Sequence, residues 1–214
     1  MIKGIIFDMD GVVSDTQNLQ ASVEENLLKK YGIEMTADEI TDKYAGVADR
    51  EWFAMIIKEF NLKVEIEILI NQKWEEILTL VKNNVKEIQG AIELIKNFKT
   101  KGFRLAIASA SPFEFIDLVL SELNIKNQFE ILTSAVEVKQ GKPDPQIFLL
   151  AVQRLNLKPE ECLVIEDGIN GMIAAKAAGM KCIGLVAVKD KNKYPADLLV
   201  TSLKDINLES IQNI

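Results

Sequence analysis

The chain of 214 residues contains no histidine, and this absence excludes several kinds of catalytic site. Ser-His-Asp and Cys-His nucleophilic sites, phosphotransfer through histidine and histidine-ligated zinc all need an imidazole. Acid–base chemistry near neutral pH must therefore be carried out by carboxylates or lysine. Cysteine is also scarce. Cys162 and Cys182 lie in apolar segments, and we predict that both are reduced and buried.

The chain also lacks a cluster of basic residues and a long apolar run. The formal net charge is −7 and the basic residues are scattered, which argues against nucleic acid or an anionic membrane as the main partner. No apolar run is long enough to cross a bilayer, and acidic residues begin at position 8, unlike in a secretory leader. We therefore expect a cytoplasmic globular protein, with a monomer as the default state.

Two patterns of hydrophobic residues divide the chain. Residues 16–85 show helical periodicity, and we predict helices over 16–31, 37–44, 49–60 and 65–83. Later in the chain, helices alternate with short apolar segments that predict strands at 103–109, 129–134, 162–167, 181–186 and 196–202. This alternation predicts an α/β fold: a Rossmann-like parallel sheet core, with helices on both faces, formed by residues 1–15 and 86–214. The helical module of residues 16–85 is inserted after the first strand.

Acidic residues follow the first strand at an unusual spacing. Ile5, Ile6 and Phe7 predict a buried strand, which runs directly into Asp8 and Asp10. Ligands of open parallel sheets bind beyond the carboxyl ends of the strands. The loops at those ends carry four acids, a hydroxyl and a lysine: Asp8, Asp10, Ser109, Lys142, Glu166 and Asp167. Acidic oxygen ligands without histidine or thiolate favour Mg²⁺, which would offset the repulsion among the carboxylates.

Two further loops predict binding of a phosphate. Ser111 is expected to be the N-cap of a helix, with Pro112 in the first position and Glu114 completing a capping box, so Ser109 would lie near a helix N-terminus that favours an anion. Lys142 precedes another expected helix start, capped by Asp144. A carboxylate can attack phosphorus while a second carboxylate acts as acid and base. The residues therefore predict phosphoryl transfer.

Four segments together resemble the haloacid dehalogenase-like phosphotransferases. These are "DMDGVVSDT", "ASAS", "GKPDP" and "IEDGINGMIAAKAAGM". The resemblance implies Asp8 as nucleophile, Asp10 as general acid and base, and Mg²⁺ held by Asp8, Asp167 and the Asp10 backbone carbonyl, with Glu166 assisting. It also implies that phosphate is bound by Ser109, Ala110 and Lys142. The inserted module resembles the mobile cap that closes over a small phosphorylated metabolite.

Within that family, the chain is most similar to the β-phosphoglucomutases and their sugar-phosphate phosphatase relatives. The segment "YAGVADREWF" resembles the cap loop, in which Gly46 and Arg50 would contact the substrate. Mutases of this type tend to have a histidine where this chain has Gln20 and a lysine where it has Ala45. These departures favour a phosphatase, with a phosphomutase as the alternative. A regulator that kept the fold and lost the chemistry is a third hypothesis, which the complete set of motif residues disfavours.

Overall fold

In a computed structural model of the chain, which describes residues 1–190, 192–212 and 214, one sheet organises the molecule. Its strands pair in the order β3-β2-β1-β4-β5-β6, and every pairing is parallel. The strands are β1 (Gly4–Phe7), β2 (Arg104–Ser109), β3 (Ile131–Ser134), β4 (Cys162–Glu166), β5 (Lys181–Leu185) and β6 (Leu198–Val200). The predicted α/β class with a parallel sheet is confirmed.

Helices cover both faces of this sheet because successive strand residues point to opposite sides. Ile5 and Phe7 of β1 belong to one buried cluster, whereas Ile6, between them, belongs to another. The first cluster includes residues of helices α5 (Ala91–Thr100), α6 (Phe113–Glu122) and α9 (Leu208–Gln212). The second includes residues of α7 (Gln146–Arg154) and α8 (Ile169–Ala177). Cys162 and Cys182 are buried free thiols in the second cluster, as predicted.

Between β1 and α5 the chain forms four helices, which we refer to as the cap. They are α1 (Gln17–Lys30), α2 (Ala37–Tyr44), α3 (Asp49–Phe60) and α4 (Ile66–Val81), and each lies within two residues of its predicted bounds. A separate buried cluster joins them, including Leu27, Phe53 and Leu69. The cap therefore has apolar packing of its own. The division of the chain into two domains, with boundaries at residues 15 and 86, remains a prediction.

Two helix starts differ from their predictions. Helix α6 begins at Phe113, its N-cap residue is Pro112, and no side chain caps it. The expected capping box of Ser111 and Glu114 is therefore wrong, because the Ser111 hydroxyl donates to Asp10 instead. At α7, which begins at Gln146, the N-cap residue is Pro145 rather than the expected Asp144, although the Asp144 carboxylate accepts a hydrogen bond from the Gln146 backbone N–H. No helix among the described residues is long and apolar enough to span a bilayer.

Candidate active site

The carboxyl ends of β1, β2 and β4 bring the first site residues together. Phe7 is in register with Ile107 of β2 and Ile165 of β4. The next residue in each strand is Asp8, Ala108 or Glu166, so all three lie at the same edge of the sheet. The parallel pairing of β1 with β4 therefore makes the carboxyl groups of Asp8 and Glu166 neighbours, although the two residues are far apart in the sequence.

The Lys142 side chain forms hydrogen bonds at all three strand ends. Its ammonium donates to Asp8 Oδ1 at 2.5 Å, to Glu166 Oε1 at 2.7 Å and to the Ala108 carbonyl at 3.1 Å. Only 1% of Lys142 and 2% of Glu166 are exposed. Such buried charges are tolerable because each is paired and hydrogen-bonded. Lys142 thus fixes the orientation of Asp8 within the sheet edge.

The pKa values at this edge show the competition between burial and pairing. Burial raises the pKa of Asp8 to about 8, while the Lys142 charge acts to lower it and Glu166 and Asp10 add repulsion. Burial alone would lower the pKa of Lys142, but the Asp8 and Glu166 carboxylates outweigh it and raise that pKa above its ordinary value. Negative charge is thus in excess here, even with the lysine present.

Asp167 adds a third carboxylate to this edge. One oxygen each from Asp8, Glu166 and Asp167 lie within 4.8 Å of one another, and burial with repulsion from its two neighbours raises the pKa of Asp167. Two glycines leave room for this cluster. A Cβ on Gly11 would lie 2.1 Å from Asp167 Oδ2, and one on Gly171 would lie 1.6 Å from Glu166 Oε1. Oxygen ligands in this close arrangement fit a hard divalent cation.

Asp10 is held by a different set of contacts. Its Oδ1 accepts hydrogen bonds from Gln20 Nε2 at 2.6 Å and from the Thr16 hydroxyl. Its Oδ2 accepts from Ser111 Oγ at 2.9 Å and, at 3.4 Å, from Ser109 Oγ. Burial raises the pKa of Asp10, although the Thr16 and Ser111 hydroxyls act to lower it. A carboxyl group with a raised pKa suits proton donation near neutral pH.

The sequence-predicted phosphate residues do not all face open space. A cavity above the strand ends is lined by Asp8, Asp10, Glu166 and Asp167, and also by Ala110. Ser109 and Lys142 are buried and are not among the residues that line this cavity. The Ser109 hydroxyl also accepts a hydrogen bond from the Ser111 backbone N–H, which orders the loop after β2.

The cap closes the other side of this cavity with some, but not all, of the predicted residues. Gln20 and Gly46 line it, and Gly46 lies directly over Lys142. Arg50 does not line it. Its guanidinium pairs with Glu67 on the exposed surface and borders a neighbouring groove. In this structure α3 places Asp49, rather than Arg50, against the cavity, so the expected contact between Arg50 and the substrate stays a prediction.

Sequence reasoning missed several residues of this site. Thr16 and Ser111 reach Asp10 only through loop geometry, although Thr16 does lie within the first motif. Lys73 of α4 is 3% exposed, lines the cavity and pairs with Glu24 and Asp49. No motif marks it, because the three residues come from three separate helices. Their spacing alone could not identify them as neighbours.

The chain resembles known proteins in sequence and in structure. Residues 5–185 match the family model of haloacid dehalogenase-like hydrolases. A phosphorylated carbohydrates phosphatase of Thermotoga maritima is 33% identical, over 85% of this chain and 84% of that protein. Hexitol phosphatase B of Escherichia coli is 28% identical, over 98% of this chain and 96% of its own. A solved β-phosphoglucomutase of Clostridium difficile superimposes with a TM-score of 0.87 and 27% identity, covering 100% of this chain and 96% of that one.

Proposed function

Because the chain belongs to the haloacid dehalogenase-like hydrolase family, we propose that it is a Mg²⁺-dependent phosphatase of a small phosphorylated metabolite, a sugar or sugar-alcohol phosphate. The observation that carries this proposal is the pairing of two differently held carboxylates, Asp8 on Lys142 and Asp10 on its hydroxyl and amide donors. The relatives named as phosphatases of phosphorylated carbohydrates and hexitols support the substrate class.

In the first step, the Asp8 carboxylate attacks phosphorus. A bond forms between a carboxylate oxygen and phosphorus while the bond from phosphorus to the ester oxygen breaks. The departing oxygen takes a proton from Asp10, so the leaving group departs as a neutral alcohol. Lys142 keeps one Asp8 oxygen fixed, which orients the attacking carboxylate.

In the second step, water hydrolyses the aspartyl phosphate. Asp10, now a carboxylate, takes a proton from the attacking water as the new oxygen–phosphorus bond forms and the bond from Asp8 to phosphorus breaks. Inorganic phosphate leaves, and both aspartates return to their starting states. The hydroxyls of Thr16 and Ser111 hold Asp10 in one place through both proton transfers.

The carboxylate cluster fits Mg²⁺ as the cofactor. Asp8 and Asp167 would hold the cation, while Glu166, which accepts from Lys142 and from the Gly168 backbone N–H at 2.7 Å, would support them. Bound there, Mg²⁺ would neutralise negative charge on the transferring phosphoryl group.

A phosphomutase is the second candidate, and the likeness to the β-phosphoglucomutase structure supports it. Such an enzyme would transfer the phosphoryl group back to a second hydroxyl of the substrate. Gln20 beside Asp10 favours hydrolysis, because an amide donates a hydrogen bond but does not exchange a proton as an imidazole does.

Phosphate release from a panel of sugar, sugar-alcohol and nucleoside monophosphates, with Mg²⁺ or with EDTA, tests the proposal. We expect Mg²⁺-dependent release from a few related sugar phosphates. Asp8→Asn should lower it by at least about a thousandfold, because the nucleophile is removed. Asp15→Asn is the matched control, since this nearby carboxylate is exposed. Full release by Asp8→Asn would show that the assigned mechanism is wrong.

Low release across the panel would turn attention to the alternatives. Formation of glucose 6-phosphate from β-glucose 1-phosphate, primed by glucose 1,6-bisphosphate, would establish the mutase. Absence of turnover on every phosphate, with normal folding and Mg²⁺ binding, would favour the regulator. Sedimentation of the same preparation tests the expected monomer.

A further inference from the structure

The cap side of the cavity carries more negative than positive charge. It presents Glu24, Asp49 and Lys73, together with the indoles of Trp52 and Trp74. Of the cationic side chains that the structure describes, Lys73 alone lines the cavity. We refer to Glu24, Asp49, Trp52 and Lys73 as the cap wall.

Lys73 is not free to bind an anion. Its ammonium lies 2.6 Å from Glu24 Oε1, contacts Asp49 Oδ1 and sits 4.9 Å above the Trp74 ring. Burial alone would lower the pKa of Lys73, but the two carboxylates outweigh it and raise that pKa. Trp74 Nε1 donates to the other Asp49 oxygen at 2.6 Å, so the arrangement is held from both sides. With one ammonium between two carboxylates, the cap wall has a surplus negative charge.

The cap wall also contains a donor without an acceptor. Trp52 is 2% exposed, and its Nε1 has no hydrogen-bond partner among the described residues. A buried indole N–H in this state costs free energy until an acceptor reaches it. Trp52 is one of the residues that line the cavity, where a bound substrate would bring oxygen acceptors close to the indole.

We propose that the cap wall selects a substrate with an uncharged, polyhydroxylated leaving group and disfavours one with a second phosphate. The proposal rests on the proposed function, and it names the kind of sugar phosphate that this cavity accepts.

Hydroxyl groups match the cap wall because they both donate and accept. They can donate to the remaining lone pairs of Glu24 and Asp49 and accept from Trp52 Nε1. A second phosphate could also accept from Trp52 Nε1, but it has no hydrogen to offer the two carboxylates when it is fully ionised, and their surplus negative charge repels it. Arg50 offers no compensation here, because it pairs with Glu67 outside the cavity.

The test compares glucose 6-phosphate with glucose 1,6-bisphosphate, which differ by one phosphate. Turnover and binding are measured for both with equal free Mg²⁺, binding by calorimetry on Asp8→Asn. We expect kcat/KM and affinity to favour the monophosphate by about tenfold or more. Equal or tighter binding of the bisphosphate would overturn the proposal, whether or not either compound is hydrolysed.

Variants assign the preference to the cap wall. Glu24→Gln and Asp49→Asn each remove one negative charge. Each should reduce the preference for the monophosphate over the bisphosphate by about threefold or more. Glu67→Gln removes an exposed cap carboxylate that is also paired with a cation, and it should leave the preference unchanged. Equal ratios in all three variants and the wild type would overturn the assignment.

Trp52→Phe tests the indole donor separately, because it removes the N–H and keeps an aromatic ring. We expect kcat/KM for glucose 6-phosphate to fall about three- to tenfold, relative to phenyl phosphate, which has no hydroxyls. An unchanged ratio would remove Trp52 from the cap wall. Absence of phosphate release from every compound, with a retained binding preference, would instead mean that the proposed function fails and the selectivity stands.

Discussion

The core side and the cap side of the cavity each have a lysine between two carboxylates, but the proposed roles of the two arrangements differ. On the core side Lys142 lies between Asp8 and Glu166, and on the cap side Lys73 lies between Glu24 and Asp49. The core side adds Asp10, which is held by hydroxyl and amide donors, and Asp167, and their charge suits a cation and a proton transfer. The cap side adds the indoles of Trp52 and Trp74 instead.

This difference separates the residues proposed to carry out the reaction from those proposed to select the substrate. Carboxylates crowd around the phosphoryl position, where a divalent cation can offset their repulsion. On the cap side the described residues form no comparable cluster of three carboxylates that could hold a metal, so the surplus charge there acts directly on the substrate. In the proposed mechanism Lys142 positions the nucleophile, whereas Lys73 holds in place the two carboxylates that disfavour a second phosphate.

The largest expected effect comes from removing either buried lysine. Lys142→Met leaves two buried carboxylates without their cation, and Lys73→Met leaves one buried and one partly buried carboxylate, so we expect each to lower the free energy of unfolding by about 3–5 kcal/mol. Urea unfolding in EDTA measures this. Hydrogen exchange should rise in α1, α3 and α4 for Lys73→Met, and at the ends of β1 and β4 for Lys142→Met.

Lys3→Met is the control for both, because Lys3 pairs with Glu161 on the surface. An exposed pair of this kind contributes about 1 kcal/mol or less. If Lys73→Met costs no more than this control, the two sides of the cavity are not equivalent and the cap lysine is not a structural element.

A smaller effect is expected at Gly171, which makes room for Glu166. Gly171→Ala places a Cβ against the Glu166 carboxylate, so that side chain must move away from the metal ligands. Displaced supporting groups typically weaken metal binding by about ten- to a hundredfold. Calorimetric Mg²⁺ titration measures this, with Ile173→Ala at an exposed position of the same helix as control. Unchanged Mg²⁺ affinity would show that Glu166 does not support the cation.

Gln20 is the cap residue that donates a hydrogen bond to Asp10, the proposed general acid. Gln20→Ala removes a donor to Asp10, and we expect kcat to fall by about tenfold through the loss of one charge-assisted hydrogen bond. Gln20→Glu should be worse, because it places a second carboxylate beside the first. Steady-state kinetics measure kcat for both variants and show which of the two is slower. If Gln20→Glu is faster than Gln20→Ala, the hydrogen bond to Asp10 does not position the acid.

The smallest effect is expected at Arg50. Arg50→Gln breaks an exposed pair with Glu67 and should change the free energy of unfolding by about 1 kcal/mol or less. Phosphate release from sugar phosphates should remain near that of the wild type, because this side chain does not line the cavity. A large rise in KM would instead support the predicted contact between Arg50 and the substrate.

Particular elements show what could be predicted and what could not. The cap helices were predicted within two residues because apolar positions recur at helical spacing. The capping box at Ser111 was wrong, since a hydroxyl that could cap a helix was taken by the carboxylate of a distant loop. A local pattern states which bonds a side chain can make, and a nearby partner decides which of them forms.

By itself, the sequence determined the alternation of strands and helices and the order in which the polar motifs follow β1, β2 and β4. Parallel pairing then brings strand ends to one edge, so Asp8 and Glu166 could be expected to meet. Only the tertiary structure decided that Lys142 points at both of them, that Asp49 rather than Arg50 faces the cavity, and that Lys73 joins three helices. The reason is that a strand ladder has a fixed register, whereas the contacts between helices depend on how each one is rotated and packed.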